Sequence, residues 1–192
     1  KAAKRAIQKH KKFLSLPLST NDGRSLLEFD FLLMDTKKSR MMAKLFMKYL
    51  RSSGKVHVTT PAGTDMMFYK ENRNPGFFNG VLRDGKGYSS SSIEVYVPIE
   101  ETKTEGIMVL DGSLGYIGRA DEPTRIIFKG GRIVDIEETP TGIRLKKYME
   151  EYFDPRIYIA GELGIGLNSC SNCLGNCYIE AVSYTHLTLP TI

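Results

Sequence analysis

The sequence predicts an α+β fold, with an α/β start through about residue 54 and a β-rich body after it. Three observations lead there. Residues 36–51 set Met42, Leu45, Phe46, Tyr49 and Leu50 near helical spacing. Beyond residue 55, short runs rich in β-branched or aromatic residues alternate with turn residues. Among these runs, Lys129-Gly130-Gly131-Arg132 joins Ile126-Ile127-Phe128 to Ile133-Val134-Asp135-Ile136. A Gly-Gly pair in that place signals a hairpin, because both central residues can take positive φ.

In chain order, residues 1–16 predict a helix with Ala2, Ala3, Ala6, Ile7, Phe13 and Leu14 as packing positions. Asn21-Asp22-Gly23 is a turn signal. The apolar run 26–34, interrupted by Glu28 and Asp30, predicts a strand. Thr36 or Ser39 is the expected cap of the next helix and Gly54 its stop, giving a βαβ-like order with the strand at 55–60. Further strands are expected at 64–69, 93–99, 106–110, 125–128 and 156–160, with a helix over 141–153. The serines at 89–92 mark a loop.

Composition bounds the function classes. The chain has 192 residues, 41% hydrophobic and 26% charged, as an ordinary globular protein does. Ten Tyr and nine Phe argue against disorder, and no apolar run approaches the roughly 20 residues of a membrane span. No secretory signal is visible, and the first residue is Lys rather than Met, so a natural beginning upstream is expected. Of the 27 cations, six lie in residues 1–12, leaving 21 against 22 acids elsewhere. That block is expected to be the solvated face of a helix rather than a nucleic-acid surface. Neither nucleic acid nor membrane is an expected partner.

The motif search is mostly negative. His10, His57 and His186 form no metal-binding pair at helical spacing, and no nucleophile elbow or phosphate loop is present. Gly161-Glu162-Leu163-Gly164-Ile165-Gly166 has the wrong spacing for a dinucleotide loop. Cys170, Cys173 and Cys177 are one thiolate short of a closed zinc site, and an odd trio makes a poor disulfide framework. Reduced loop thiols are the simpler expectation, and they suit a cytoplasmic protein. Two acids stand out. Glu94 lies in an apolar strand pattern and Glu162 in the glycine-rich stretch after the strand expected at 156–160. Each is either an outward-facing strand or turn residue, or an acid that needs a partner, a hydrogen bond or a metal.

Five blocks in order then carry a resemblance. Val56-His57-Val58-Thr59-Thr60-Pro61-Ala62-Gly63-Thr64-Asp65 resembles a segment of the aminopeptidase T family of metallo-aminopeptidases. Glu94-Val95-Tyr96-Val97-Pro98-Ile99-Glu100 is similar to its glutamate-bearing strand, one residue shorter before the proline and with Ile93 in place of glycine. Glu105-Gly106 to Asp111-Gly112-Ser113, Gly130-Gly131-Arg132-Ile133-Val134 and Glu162-Leu163-Gly164-Ile165-Gly166-Leu167-Asn168 resemble the blocks that follow. The resemblance implies a peptide-cleaving enzyme holding two divalent metal ions, zinc or cobalt, with Glu94 as the first carboxylate ligand and Glu162 as the second, bridging one. It also implies a peptide substrate and a homodimeric parent. An iron-dependent ring-cleaving dioxygenase of the dihydroxypyridine type, similar to the same family, is the alternative, and a non-catalytic binding fragment is the third reading.

On this basis residues 1–54 are expected to be the C-terminal part of an α/β domain. Residues 55–180 would form a β-rich metal-binding domain incomplete at its C-terminus. The family's His motifs follow the segment matched by Gly175-Asn176 to Glu180, where this chain departs from the pattern. Residues 181–192 are similar to translated adapter sequence and are expected to be a non-native tail, which makes Tyr184 and His186 poor ligand candidates. With two of about six ligands, the chain is expected to be inactive by itself. Uncovered apolar surface would favour self-association.

Overall fold

A computed structural model describes residues 2–15, 24–78, 87–89, 94–175 and 185–188. The first helix, α1 (Ala2–Gln8), stops well short of the expected residue 16, and Phe13–Ser15 forms strand β1. No residue of α1 is buried, so local propensity alone supports it, and short helices without packing are marginal. The strand expected over 26–34 is absent too. Two 3-10 turns, Leu26–Glu28 and Asp30–Leu33, take its place. The cause is local. The Leu27 amide donates to Ser25 Oγ at 3.2 Å and the Ser25 amide to Glu28 Oε1 at 3.3 Å, a reciprocal pairing that favours a turn over an extended chain. Phe29 and Phe31 are buried, and the Arg24 guanidinium lies 4.2 Å over the Phe29 ring.

With that strand gone the βαβ order does not form, but the helix does. Helix α2 (Thr36–Ser52) is capped by Asp35, not by Thr36 or Ser39. Asp35 Oδ1 accepts from the amides of Lys37 at 2.9 Å and Lys38 at 3.1 Å, which holds its carboxyl below the usual range. Ser39 is buried on the inner face with Ala43 and Leu50. Its Oγ donates to the Leu167 carbonyl at 2.9 Å. Nearby, Asn168 is only 3% exposed. Its Nδ2 donates to the Phe31 carbonyl at 2.8 Å, and its Oδ1 accepts from the Cys170 amide at 2.9 Å. These bonds latch the helical start of the chain to its last third.

The body is antiparallel. Strands β2 (Lys55–Thr59) and β3 (Asp65–Tyr69) form a hairpin, followed by β4 (Gly76–Phe78) and by β5 (Gly87–Ser89), which pairs in parallel with β1. Next come β6 (Glu94–Pro98), β7 (Glu105–Leu110) and a minor pair, β8 (Ser113–Leu114) with β9 (Gly118–Arg119). The Gly-Gly hairpin forms as expected between β10 (Thr124–Lys129) and β11 (Arg132–Ile136), with Gly130 at φ 56 and Gly131 at φ 77. These elements build a five-stranded sheet of order β11-β10-β7-β3-β2.

Helix α3 (Pro140–Glu150) starts on Thr139, whose Oγ1 accepts from the Gly142 amide at 3.0 Å and lies 2.6 Å from Thr124 Oγ1. It ends earlier than the expected residue 153, where Phe153 takes φ 51 and is 94% exposed. Thr139→Ala should cost about 1–2 kcal/mol, measurable as a lowered urea midpoint with unchanged slope. The strand expected at 156–160 is instead a 3-10 turn, Pro155–Tyr158. Asp154 caps it through the Arg156 amide at 2.9 Å and also pairs with the Arg156 guanidinium, which lowers the Asp154 carboxyl to about 2.

Strand β12 (Glu162–Gly166) follows, so Glu162 opens a strand rather than sitting in a glycine turn. Residues Thr185–Thr188, within the segment set aside as a non-native tail, supply β13. The second sheet has the order β13-β12-β6-β4. One hydrophobic cluster joins Ala43 and Leu50 of α2, Met66 and Phe68 of β3, Ile126 and Phe128 of β10, Val95 and Val97 of β6, Leu145 and Met149 of α3, and Leu163 of β12. The architecture is α+β. Among the described residues no helix is long and apolar enough to cross a membrane.

Candidate metal centre

Alternation along β6 and β12 decides where the two acids sit. Val95 and Val97 are 0% exposed and Leu163 1%, so the odd-numbered positions face the core. Glu94, Tyr96 and Glu162 therefore share the opposite face, where each is half-buried. The register pairs Glu162 with Pro98, Gly164 with Tyr96, and Gly166 with Glu94. The two glutamates are thus four residues out of step on adjacent strands, roughly 13 Å along the chain direction. The backbone places both acids on one surface.

Their charges interact. Burial, and after it the negative charge of Glu162, push the Glu94 carboxyl from its usual 4.5 up to about 7. Tyr96 lies between the two acids in register. Its ring occupies the space beside Gly76 on β4, where any Cβ would overlap it. The end of β6 is fixed from below. Arg73 donates to the Ile99 carbonyl and forks onto Glu101 at 2.6 and 3.1 Å, while Lys103 bridges Glu71 at 2.7 Å and Glu100 at 2.8 Å. The Ile99 amide donates to the Gly161 carbonyl at 3.0 Å, which ties the β6 exit to the β12 entry beside Glu162.

The donor set is of hard oxygens, which suits a divalent cation. Among the described residues no group of three or more His, Cys, Asp or Glu side chains could hold a metal ion. The chemistry of the two carboxylates would fit part of such a site, and the described residues supply no third ligand beside them. His57 is exposed on the other sheet, with Nε2 2.7 Å from Asp65 Oδ1. His10 is an exposed residue just past α1, at φ 53. The backbone of His186 pairs with that of Gly164 on the strand carrying Glu162, a position the sequence did not signal. Cys170 and Cys173 are half-buried; Cys177 lies outside the described residues. A cavity of about 500 Å³, lined by Met66, Phe68, Phe128 and Leu163 on the core side, includes neither glutamate. Gly161 to Gly166 forms the strand entry and β12, not a phosphate-binding turn. Asn168 and Ser39 were missed as positioning groups; the asparagine closing the Glu162 block was the available signal.

No protein-family model and no curated sequence matches the chain. Solved structures do. The 2,5-dihydroxypyridine dioxygenase of Pseudomonas putida KT2440 is similar over 88% of this chain and 48% of its own, at a TM-score of 0.69 and 20% identity. Wild-type AmpT of Thermus thermophilus, an aminopeptidase T, is similar over 80% of this chain and 41% of its own, at 0.52 and 15%. The fold is shared with both. This chain spans less than half the length of either, and at such identities the likeness shows the fold alone.

Proposed function

We propose that the protein carrying this chain is a metal-dependent aminopeptidase that releases N-terminal residues from peptides. The observation that carries the reading is the placement of Glu94 and Glu162 on one sheet face, close enough for one charge to raise the pKa of the other. The fold common to AmpT and the five sequence blocks support it. Glu94 and Glu162 would hold part of a pair of divalent ions, zinc or cobalt, which when bound would activate water and stabilise an oxyanion. The chain's own contribution is positional. Val95, Val97 and Leu163 close the sheet behind the acids, and the Arg73 clamp fixes the strand end beside Glu162. Glu94 must lose its proton to serve as a ligand. An odd number of cysteines makes a poor disulfide framework, which suits a reducing, cytoplasmic setting.

A second reading, the ring-cleaving dioxygenase, is favoured by the larger and tighter overlap with the dihydroxypyridine enzyme. A full-length protein carrying this chain separates the two. Under the first reading it hydrolyses an aminoacyl amide with zinc or cobalt, loses that activity to a chelator, and needs no oxygen. Glu94→Gln and Glu162→Gln should each lower the rate more than about 100-fold, because even outer-shell partners of a metal matter by 10–100-fold. No hydrolysis with any divalent metal, together with oxygen-dependent loss of a dihydroxypyridine, would establish the second reading instead.

A further inference from the structure

Helix α2 divides into three stripes. Ser39, Ala43 and Leu50 are buried, with Phe46 and Met47 packed beside them, so this side is committed to the core. Lys37, Arg40, Lys44, Lys48 and Arg51 recur at intervals of three or four and are all exposed. Met41, Met42, Leu45 and Tyr49 form the third stripe, exposed by 72%, 40%, 47% and 62%. Lys38 also projects to solvent, and the helix contains no acid. Among the described residues none of its six cations forms an ion pair. The basic stripe runs roughly 21 Å beside the apolar one.

We propose that α2 is a peripheral docking face for an anionic phospholipid surface. The apolar stripe enters the headgroup boundary, while the flanking lysines and arginines keep their charges at the lipid phosphates. Three alternatives fit less well. A nucleic acid would use the cations and leave the methionines, leucine and tyrosine in water. A second copy docking through the same stripe would bring two uniformly basic helices together. A partner groove that takes only the apolar stripe would leave the adjoining lysines and arginines unmatched. A flat anionic surface meets both exposed stripes at once. The sequence-based expectation of no membrane partner rested on the lack of a spanning segment, which peripheral binding does not require.

The test is sedimentation of the full-length protein carrying this chain with vesicles of phosphatidylcholine alone or with about 30% phosphatidylserine, alongside a sizing measurement. Binding should appear only with the anionic vesicles and be lost in about 0.5 M salt, where screening shortens to a few ångströms. Lys44→Glu with Lys48→Glu should weaken it at least about 30-fold, since each cation near such a surface contributes about a factor of five. Leu45→Ser with Tyr49→Ser should weaken it about tenfold without changing the salt response. Lys11→Glu with Lys12→Glu, outside α2, should leave it within about twofold. Equal binding to neutral vesicles, no binding to anionic ones, or unchanged binding by both α2 variants would overturn the proposal. A dimer in sizing that Leu45→Ser dissolves would overturn it in favour of a second copy.

Discussion

Gly131→Ala should destabilise the protein by about 3–5 kcal/mol, one of the two largest effects expected of a single change. Gly131 has φ 77, where a Cβ meets its own carbonyl and costs about 1–2 kcal/mol. The new methyl would also fall on the Glu101 carbonyl oxygen, a backbone atom that cannot rotate away. Retreat is blocked, because the Gly131 amide donates to Thr104 and its carbonyl accepts from Ala160, both at 2.9 Å. The strain passes to the turn holding Glu101, and so to the Arg73 clamp beside the candidate centre. Gly54→Ala is the control, since its added Cβ meets nothing within 4 Å. Urea unfolding of the two variants gives the comparison; a Gly131→Ala loss below about 1 kcal/mol would mean that this turn yields freely.

Glu94→Gln should make the metal-free protein more stable at pH 8 and leave it unchanged near pH 4. The folded carboxyl titrates at about 7 against a usual 4.5, so the folded state holds its proton more tightly than the unfolded chain does. Stability is therefore highest below the unfolded value, falls as pH rises from about 4.5 to about 7, and stays reduced above that. The full difference is at most about 3 kcal/mol, with partial exposure reducing it. Glutamine removes the ionisation and with it the loss. In the full-length parent a saturating divalent cation should reverse the order at pH 8, because a bound ion stabilises only the protein that retains its ligand. Parallel stability–pH curves for the two proteins would show that Glu94 is an ordinary solvated acid.

Much of the fold was legible, because local rules and tertiary packing agree there. The Gly130-Gly131 hairpin and the existence of α2 needed nothing beyond spacing and backbone freedom, but spacing misplaced the inner face of α2: Met42, Leu45 and Tyr49 are exposed, and Ser39 and Ala43 are buried with Leu50. The two strands that did not form share one cause. Ser25 with Glu28, and Asp154 with Arg156, bind neighbouring backbone and turn two apolar runs into 3-10 turns that hydrophobicity alone marks as strands. The candidate site was half legible. Glu94 and Glu162 stood out as acids among apolar and glycine residues, but only the pairing of Gly166 with Glu94 shows that they share a face. A slip of one residue would have sent them to opposite sides.

The bonds of Ser39 and Asn168 also constrain the order of assembly. Their partners lie 128 and 137 residues apart along the chain. During synthesis the Phe31 carbonyl emerges long before the asparagine that receives it, while the β10–β11 hairpin can close as soon as its two strands leave the ribosome. The turn holding Phe31 must therefore wait for that partner, although α2 can dock earlier through Ala43 and Leu50 on β3 and β6. During that interval Phe29 and Phe31, buried in the finished fold, lack the late segment that bonds to their turn.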